Sequence, residues 1–136
     1  IRFGAPEHGI CRVSKTSREA MAGLYTALEN YMALDEGKEK QRMSNIIDLM
    51  KRKLCGCTYT AATEIVDRGP VGQTYSRLFC YIKDGKKAEE VVRSMKEHHI
   101  YIGCEKERNA VYLSPLNLTE KEAEKAAETL AAILEK

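Results

Sequence analysis

No apolar run in this chain approaches the roughly 18 residues that a membrane-crossing helix needs. The opening residues also lack the basic and apolar regions of a secretory signal. Neither sign of charge dominates: 22 Lys and Arg stand against 20 Asp and Glu, a formal net charge of +2. That balance gives no electrostatic case for a nucleic-acid or membrane-surface partner. The five cysteines, Cys11, Cys55, Cys57, Cys80 and Cys104, are odd in number, scattered, and contain no C-x-x-C pair. A small secreted disulfide scaffold would look different, so they read as reduced thiols in a cytoplasmic protein. Internal repeats and low-complexity segments are missing too. The 136 residues suffice for one domain with a real core, with or without a connecting arm.

Metal chemistry has one weak foothold. Cys55-Gly56-Cys57 could be imagined with His98 and His99 as a zinc set, but the spacing fits no usual zinc motif. Adjacent histidines also diverge on a helix or a strand. Cysteines buried as small apolar residues are the better account.

Residues 1–15 carry the breakers Gly4, Pro6 and Gly9 and read as an irregular arm. Thr16 and Glu19 form a T-x-x-E capping box, and Met21, Leu24, Tyr25, Leu28, Tyr31 and Met32 follow at helical spacing. This predicts a helix over 16–34 with one face covered. A second helix, about 38–54, carries Met43, Ile46, Ile47, Met50 and Leu54 on one stripe.

The period then changes. Residues 58–66 and 74–82 read as strands. In the latter, Tyr75, Arg77, Phe79 and Tyr81 face one way and Ser76, Leu78, Cys80 and Ile82 the other. Asp84 is a candidate cap for a helix at about 86–98 with Ala88, Val91, Val92 and Met95 inward. Strands at 100–104 and 110–114 follow. A second capping box, Thr119 to Glu122, opens a helix that runs from about 120 to the end. The order α-α-β-β-α-β-β-α predicts an α+β two-layer sandwich: a four-stranded antiparallel sheet with helices on one face, after a long connecting helix. The expected organisation is an arm (1–15), a connecting helix (16–34) and an α+β domain (35–136).

One segment has a sharper resemblance. Gly9, Arg12, Lys15, Ser17, Arg18 and Glu19, then Gly23, Leu24, Ala27 and Leu28, fit G-x-x-R-x-x-[KR]-x-[GSD]-K-E/M followed by G-L-x-x-A-L. This resembles the segment joining the large and small domains in a family of pyridoxal-phosphate (PLP) enzymes. The family comprises L-seryl-tRNA selenium transferase and the D-glucosaminate-6-phosphate ammonia-lyase type. The closing stretch, Val111 to Pro115 with Asn117 to Thr119 and a helix, is similar to the end of many fold-type I PLP enzymes.

The resemblance implies that the chain is the small domain of such an enzyme, with PLP bound mainly outside it and the Schiff-base lysine upstream. The non-Met start at Ile1 agrees with a fragment. By the same resemblance Arg12 and Lys15 bind an anionic group of a small amino substrate. Their chemistry fits such a contact, with a planar guanidinium fork beside a compact ammonium just ahead of a helix N-terminus. The implied partners are the large PLP-binding domain of the same protein and further copies in a homo-oligomer.

One departure stands out. Tyr112 occupies the place where many such enzymes have the arginine that grips the substrate carboxylate, and Arg77 and Arg108 are the candidates to replace it. His8 beside Gly9 reads as a surface histidine, 68–72 as a plain turn, and Tyr25 and Tyr31 as core or interface residues. The competing reading is a free-standing α+β module that binds a ligand or regulates, since such sandwiches host many functions.

Overall fold

The computed structural model describes residues 16–67, 72 and 75–136. They form two compact units, one ending at Glu36 and one spanning Gly37–Lys136.

The first unit holds α1 (Arg18–Met32). Its N-cap is Ser17, one residue later than the expected capping box: the Ser17 hydroxyl accepts from the amide of Ala20 at 3.1 Å. None of its residues is buried. The apolar stripe foreseen from the spacing is present and open, with Leu24 at 62%, Tyr31 at 71% and Met32 at 83% exposure.

The second unit is the α+β sandwich expected from the sequence. Its elements are α2 (Glu36–Leu54), β1 (Thr60–Val66), β2 (Arg77–Ile82), α3 (Ala88–Glu97), β3 (Gly103–Glu105), β4 (Ala110–Leu113) and α4 (Glu120–Glu135). All strand pairs are antiparallel and the sheet order is β1-β2-β4-β3. Strand alternation decides the layers. Leu78, Cys80 and Ile82 of β2 are buried, as are Val111 and Leu113, which lie opposite Cys80 and Leu78 on β4. The helices deliver Ile46, Met50 and Leu54, then Val91 and Met95, then Leu130 and Leu134 to the same core. Each such side chain contributes roughly 1.5–3 kcal/mol by leaving water. Among the described residues, no buried side-chain nitrogen or oxygen lacks a partner.

Three local details position the sheet. Asp84 does not cap α3. The amide of Ala88 instead donates to the side-chain oxygen of Asn109, 2.8 Å away on the β3–β4 turn. The Asn109 side-chain amide donates in turn to the carbonyls of Ile82 (3.1 Å) and Lys86 (3.0 Å). The end of α4 is closed from outside the helix: Tyr59 N–H donates to the Leu134 carbonyl, and Lys86 Nζ to that of Ile133. These satisfy carbonyls that a helix end leaves without intrahelical partners. At α3, His99 adopts a left-handed φ of 59° just past the C-cap His98, while Ile100 N–H returns to the Met95 carbonyl. That gives His99 a structural role at the helix end.

Candidate functional site

The helices cover one face of the sheet, and the alternation of β2 sends Arg77, Phe79 and Tyr81 to the other. Register places Tyr112 of β4 opposite Phe79, and Gly103 of β3 opposite Tyr112. The Phe79 and Tyr112 rings stack with centroids 5.2 Å apart and planes 29° apart, an arrangement worth roughly 0.5–1.5 kcal/mol beyond burial. The Tyr112 ring lies directly across Gly103. A Cβ there would fall 2.0 Å from Tyr112 Cζ, so a residue with any side chain would displace the ring. Glycine in a strand often marks such a close approach.

Arg77 closes the row. Its guanidinium carbon lies over the Tyr112 ring at 5.1 Å and over the Tyr75 ring at 5.7 Å. One of its terminal nitrogens reaches the Tyr75 hydroxyl at 3.5 Å. That contact holds the Tyr75 phenol below its ordinary range, with the guanidinium charge and the Ser114 hydroxyl adding to the effect. Cation–π contacts of this kind are worth roughly 0.5–1 kcal/mol at exposed sites and more when desolvated. Further along the face, the Tyr81 hydroxyl donates to Glu64 at 2.5 Å. The carboxylate pushes the Tyr81 phenol up, helped by burial. The result is a cation in an aromatic frame, with a neighbouring acid bonded to a phenol.

The other candidates disperse. Arg12, Lys15, His8 and Cys11 lie outside the described residues, as do positions 68–71. Arg108, exposed on the β3–β4 turn, acts on the Tyr81 phenol against the pull of Glu64 and so belongs beside the row, whereas Tyr25 and Tyr31 are exposed on α1. Cys55 is exposed while Cys57 is buried, so the Cys-Gly-Cys pair points two ways. The four described cysteines are free thiols, and burial raises the thiol pKa of Cys57, Cys80 and Cys104. A raised thiol is a poorer nucleophile at neutral pH. Among the described residues, no group of three or more His, Cys, Asp or Glu is placed to hold a metal ion. None of their helices is long and apolar enough to cross a membrane.

A depression lined by Arg42, Asn117, Leu118, Thr119 and Glu120 is also accounted for. Arg42 donates to Glu39 through Nε at 2.8 Å and to the Leu118 carbonyl at 2.6 Å, tying α2 to the loop before α4.

Four of the described lysines are engaged in contacts of their own. Lys53 lies 2.7 Å from Glu128 and 3.3 Å from Glu124, and Lys106 lies 2.6 Å from Glu89. These carboxylates raise both amines, the reverse of what a nucleophilic lysine requires. Lys83 donates to the Thr58 carbonyl, and Lys86 lies over the Tyr59 ring at 4.7 Å.

Comparison with known proteins bears on the fold. No family model matches the chain, and no curated protein matches it. Among solved structures the chain is similar to MppP, a PLP-dependent enzyme, in a structure soaked with the product 2-ketoarginine. The identity is 17% and the TM-score 0.56, over 74% of this chain and 29% of that one. The chain thus spans under a third of that protein's length. At this distance the likeness shows the fold alone, an α+β unit with a four-stranded antiparallel sheet.

Alternation along the sequence sets Tyr75, Arg77, Phe79 and Tyr81 on one side of β2. It does not reach Gly103 or the way Tyr112 joins the row. A glycine inside a short predicted strand is the one signal that could have pointed there.

Proposed function

We infer that this chain is the C-terminal small domain of a PLP-dependent enzyme acting on an amino compound with an anionic group. The reaction class is a lyase or a selenium or sulfur transfer, as the resemblance of residues 9–28 implies. The observation that carries the reading is architectural. Helices line one face of an antiparallel sheet of order β1-β2-β4-β3, and a capped amphipathic helix precedes them with its whole apolar stripe uncovered. The likeness to MppP supports the fold half of the reading.

In this reading the large PLP-binding domain of the same protein covers the α1 stripe and supplies the Schiff-base lysine. PLP, when bound there, acts as the electron sink for the amino substrate. Arg12 and Lys15 hold the substrate's anionic group ahead of α1. The parent works as a cytoplasmic homo-oligomer.

The test is an absorbance scan of the full-length protein in the near ultraviolet and violet, before and after borohydride. A band that borohydride bleaches is the expected result. A full-length protein without that band sinks the reading and leaves a free-standing α+β ligand-binding or regulatory module.

A further inference from the structure

We propose that Asp84 and Gly85, in the turn between β2 and α3, form a site of spontaneous backbone rearrangement to isoaspartate, and that the change unfastens the start of α3. The site stands whether or not the parent is a PLP enzyme.

Of the aspartates Asp35, Asp48, Asp67 and Asp84, only Asp84 is followed by glycine, and no asparagine is. The rearrangement begins when the backbone nitrogen of the next residue attacks the side-chain carboxyl carbon. A side chain on that next residue obstructs the attack, whereas glycine leaves it open. Asp84 and Gly85 are both exposed. Space around the glycine is free: a Cβ there would meet Tyr59 Cε1 at 3.9 Å and nothing nearer. Asp84 is not occupied by the cap that its position suggests, because Asn109 holds the Ala88 amide. Among the described residues neither the Asp84 carboxyl nor the Gly85 N–H has a hydrogen-bond partner. Nucleophile and electrophile are thus adjacent, exposed and unengaged.

In the first step the Gly85 nitrogen bonds to Asp84 Cγ, and the OH of the protonated carboxyl leaves as water with the amide proton. The product is a cyclic imide. Water then adds to one of its two carbonyl carbons. Opening at Cγ restores aspartate; opening at the main-chain carbonyl breaks the original peptide bond and leaves the chain running through Cγ. Nothing but water enters or leaves.

Isoaspartate lengthens the main chain by a methylene inside a turn that is fastened on both sides. Lys86 N–H donates to the Lys83 carbonyl across it at 3.4 Å. Upstream, Lys83 N–H reaches the Tyr59 carbonyl at 3.0 Å and Lys83 Nζ the Thr58 carbonyl at 2.7 Å. Downstream, the Lys86 carbonyl accepts from Asn109 at 3.0 Å and Lys86 Nζ donates to the Ile133 carbonyl at 2.6 Å. A longer link cannot keep both sets in register. The long closing bond is lost first, and the hold of Asn109 on the start of α3 weakens with it.

The experiment ages the folded full-length protein at physiological temperature and neutral pH and digests it with chymotrypsin. The peptides are then offered to an isoaspartate-specific carboxyl methyltransferase with radiolabelled S-adenosylmethionine. The peptide holding Asp84 should gain label steadily and pass through a species lighter by one water, while those holding Asp35, Asp48 and Asp67 should not. Asp84→Glu keeps the charge but needs a larger ring, and should lose the label. Hydrogen exchange at the start of α3 should be faster in the aged protein than in the fresh one, with the centre of β4 unchanged. An Asp84 peptide without label overturns the proposal, as does equal label at the other aspartates or label that survives in Asp84→Glu. Isoaspartate with unaltered exchange at the start of α3 overturns the unfastening. The comparison among the four aspartates needs no variant, so a poorly folding substitution leaves the test intact.

Discussion

Helices α1 and α4 carry the same kind of message and meet opposite fates. Both have a hydroxyl N-cap, Ser17 and Thr119, and both place acid in the first turn. Both repeat apolar residues at helical spacing. Yet α4 buries Ala123, Ala126, Ala127, Leu130 and Leu134, and α1 buries nothing. Amphipathic periodicity states that a face is to be covered; it does not state what covers it. The small residues of α4 let it sit close to its neighbours within its own unit. The stripe of α1 is built of larger side chains, Met21, Leu24, Tyr25 and Leu28, which suit a partner surface of their own.

Substitutions in the two stripes sharpen the contrast. Leu130→Ala should destabilise the chain by about 2–5 kcal/mol, as fully buried leucines do. Leu28→Ala, at a residue 51% exposed, should stay within about 0.5 kcal/mol. Urea unfolding of both variants checks this. A large loss at Leu28 in the 136-residue chain would mean that α1 is already covered.

A smaller effect tests the open sheet face against the covered one. Gly103→Ala forces the Tyr112 ring out of its place and should cost about 1–3 kcal/mol, typical of overpacking. The loss of ring-current shifts at Phe79 should accompany it. An unchanged Phe79 signal would show that the stack does not depend on the glycine.

The smallest difference lies in the caps. Thr119→Ala removes an acceptor from the Glu122 amide and should cost typically about 1 kcal/mol. Ser17→Ala removes the matching bond at α1. It should leave global unfolding almost unmoved while lowering helicity near α1, measurable by amide exchange. Equal costs would make the two helices one cooperative unit.

What could be read beforehand follows from the range of each determinant. The alternation of Arg77–Ile82 and the helical stripes repeat within a few residues, so β2, α2, α3 and α4 were legible. So was the Thr119–Glu122 box, whose partners lie three residues apart. The cap of α3 was not, because its acceptor, Asn109, is 21 residues from the amide it receives, while Asp84 offered a plausible local substitute. Strand β3 was expected over 100–104 but is laddered only at Gly103–Glu105. The amide of Ile100 is taken by the α3 C-terminus, and Ile100 packs against the core all the same. The aromatic row needed a fact that spacing does not contain: β4 lies between β2 and β3, which puts Tyr112 between Phe79 and Gly103.

The Asn109 junction has a consequence for how the second unit opens. The Asn109 side chain bonds the end of β2, the Lys86 carbonyl two residues before α3 and the first amide of α3, while the Asn109 backbone carbonyl accepts from Ile82 N–H. A fluctuation that frees any of these strands all of them, because the shared amide cannot keep three partners while its backbone moves. The β2 end, the α3 start and the β3–β4 turn should therefore breathe as a single foldon, three segments distant in sequence with one common opening rate.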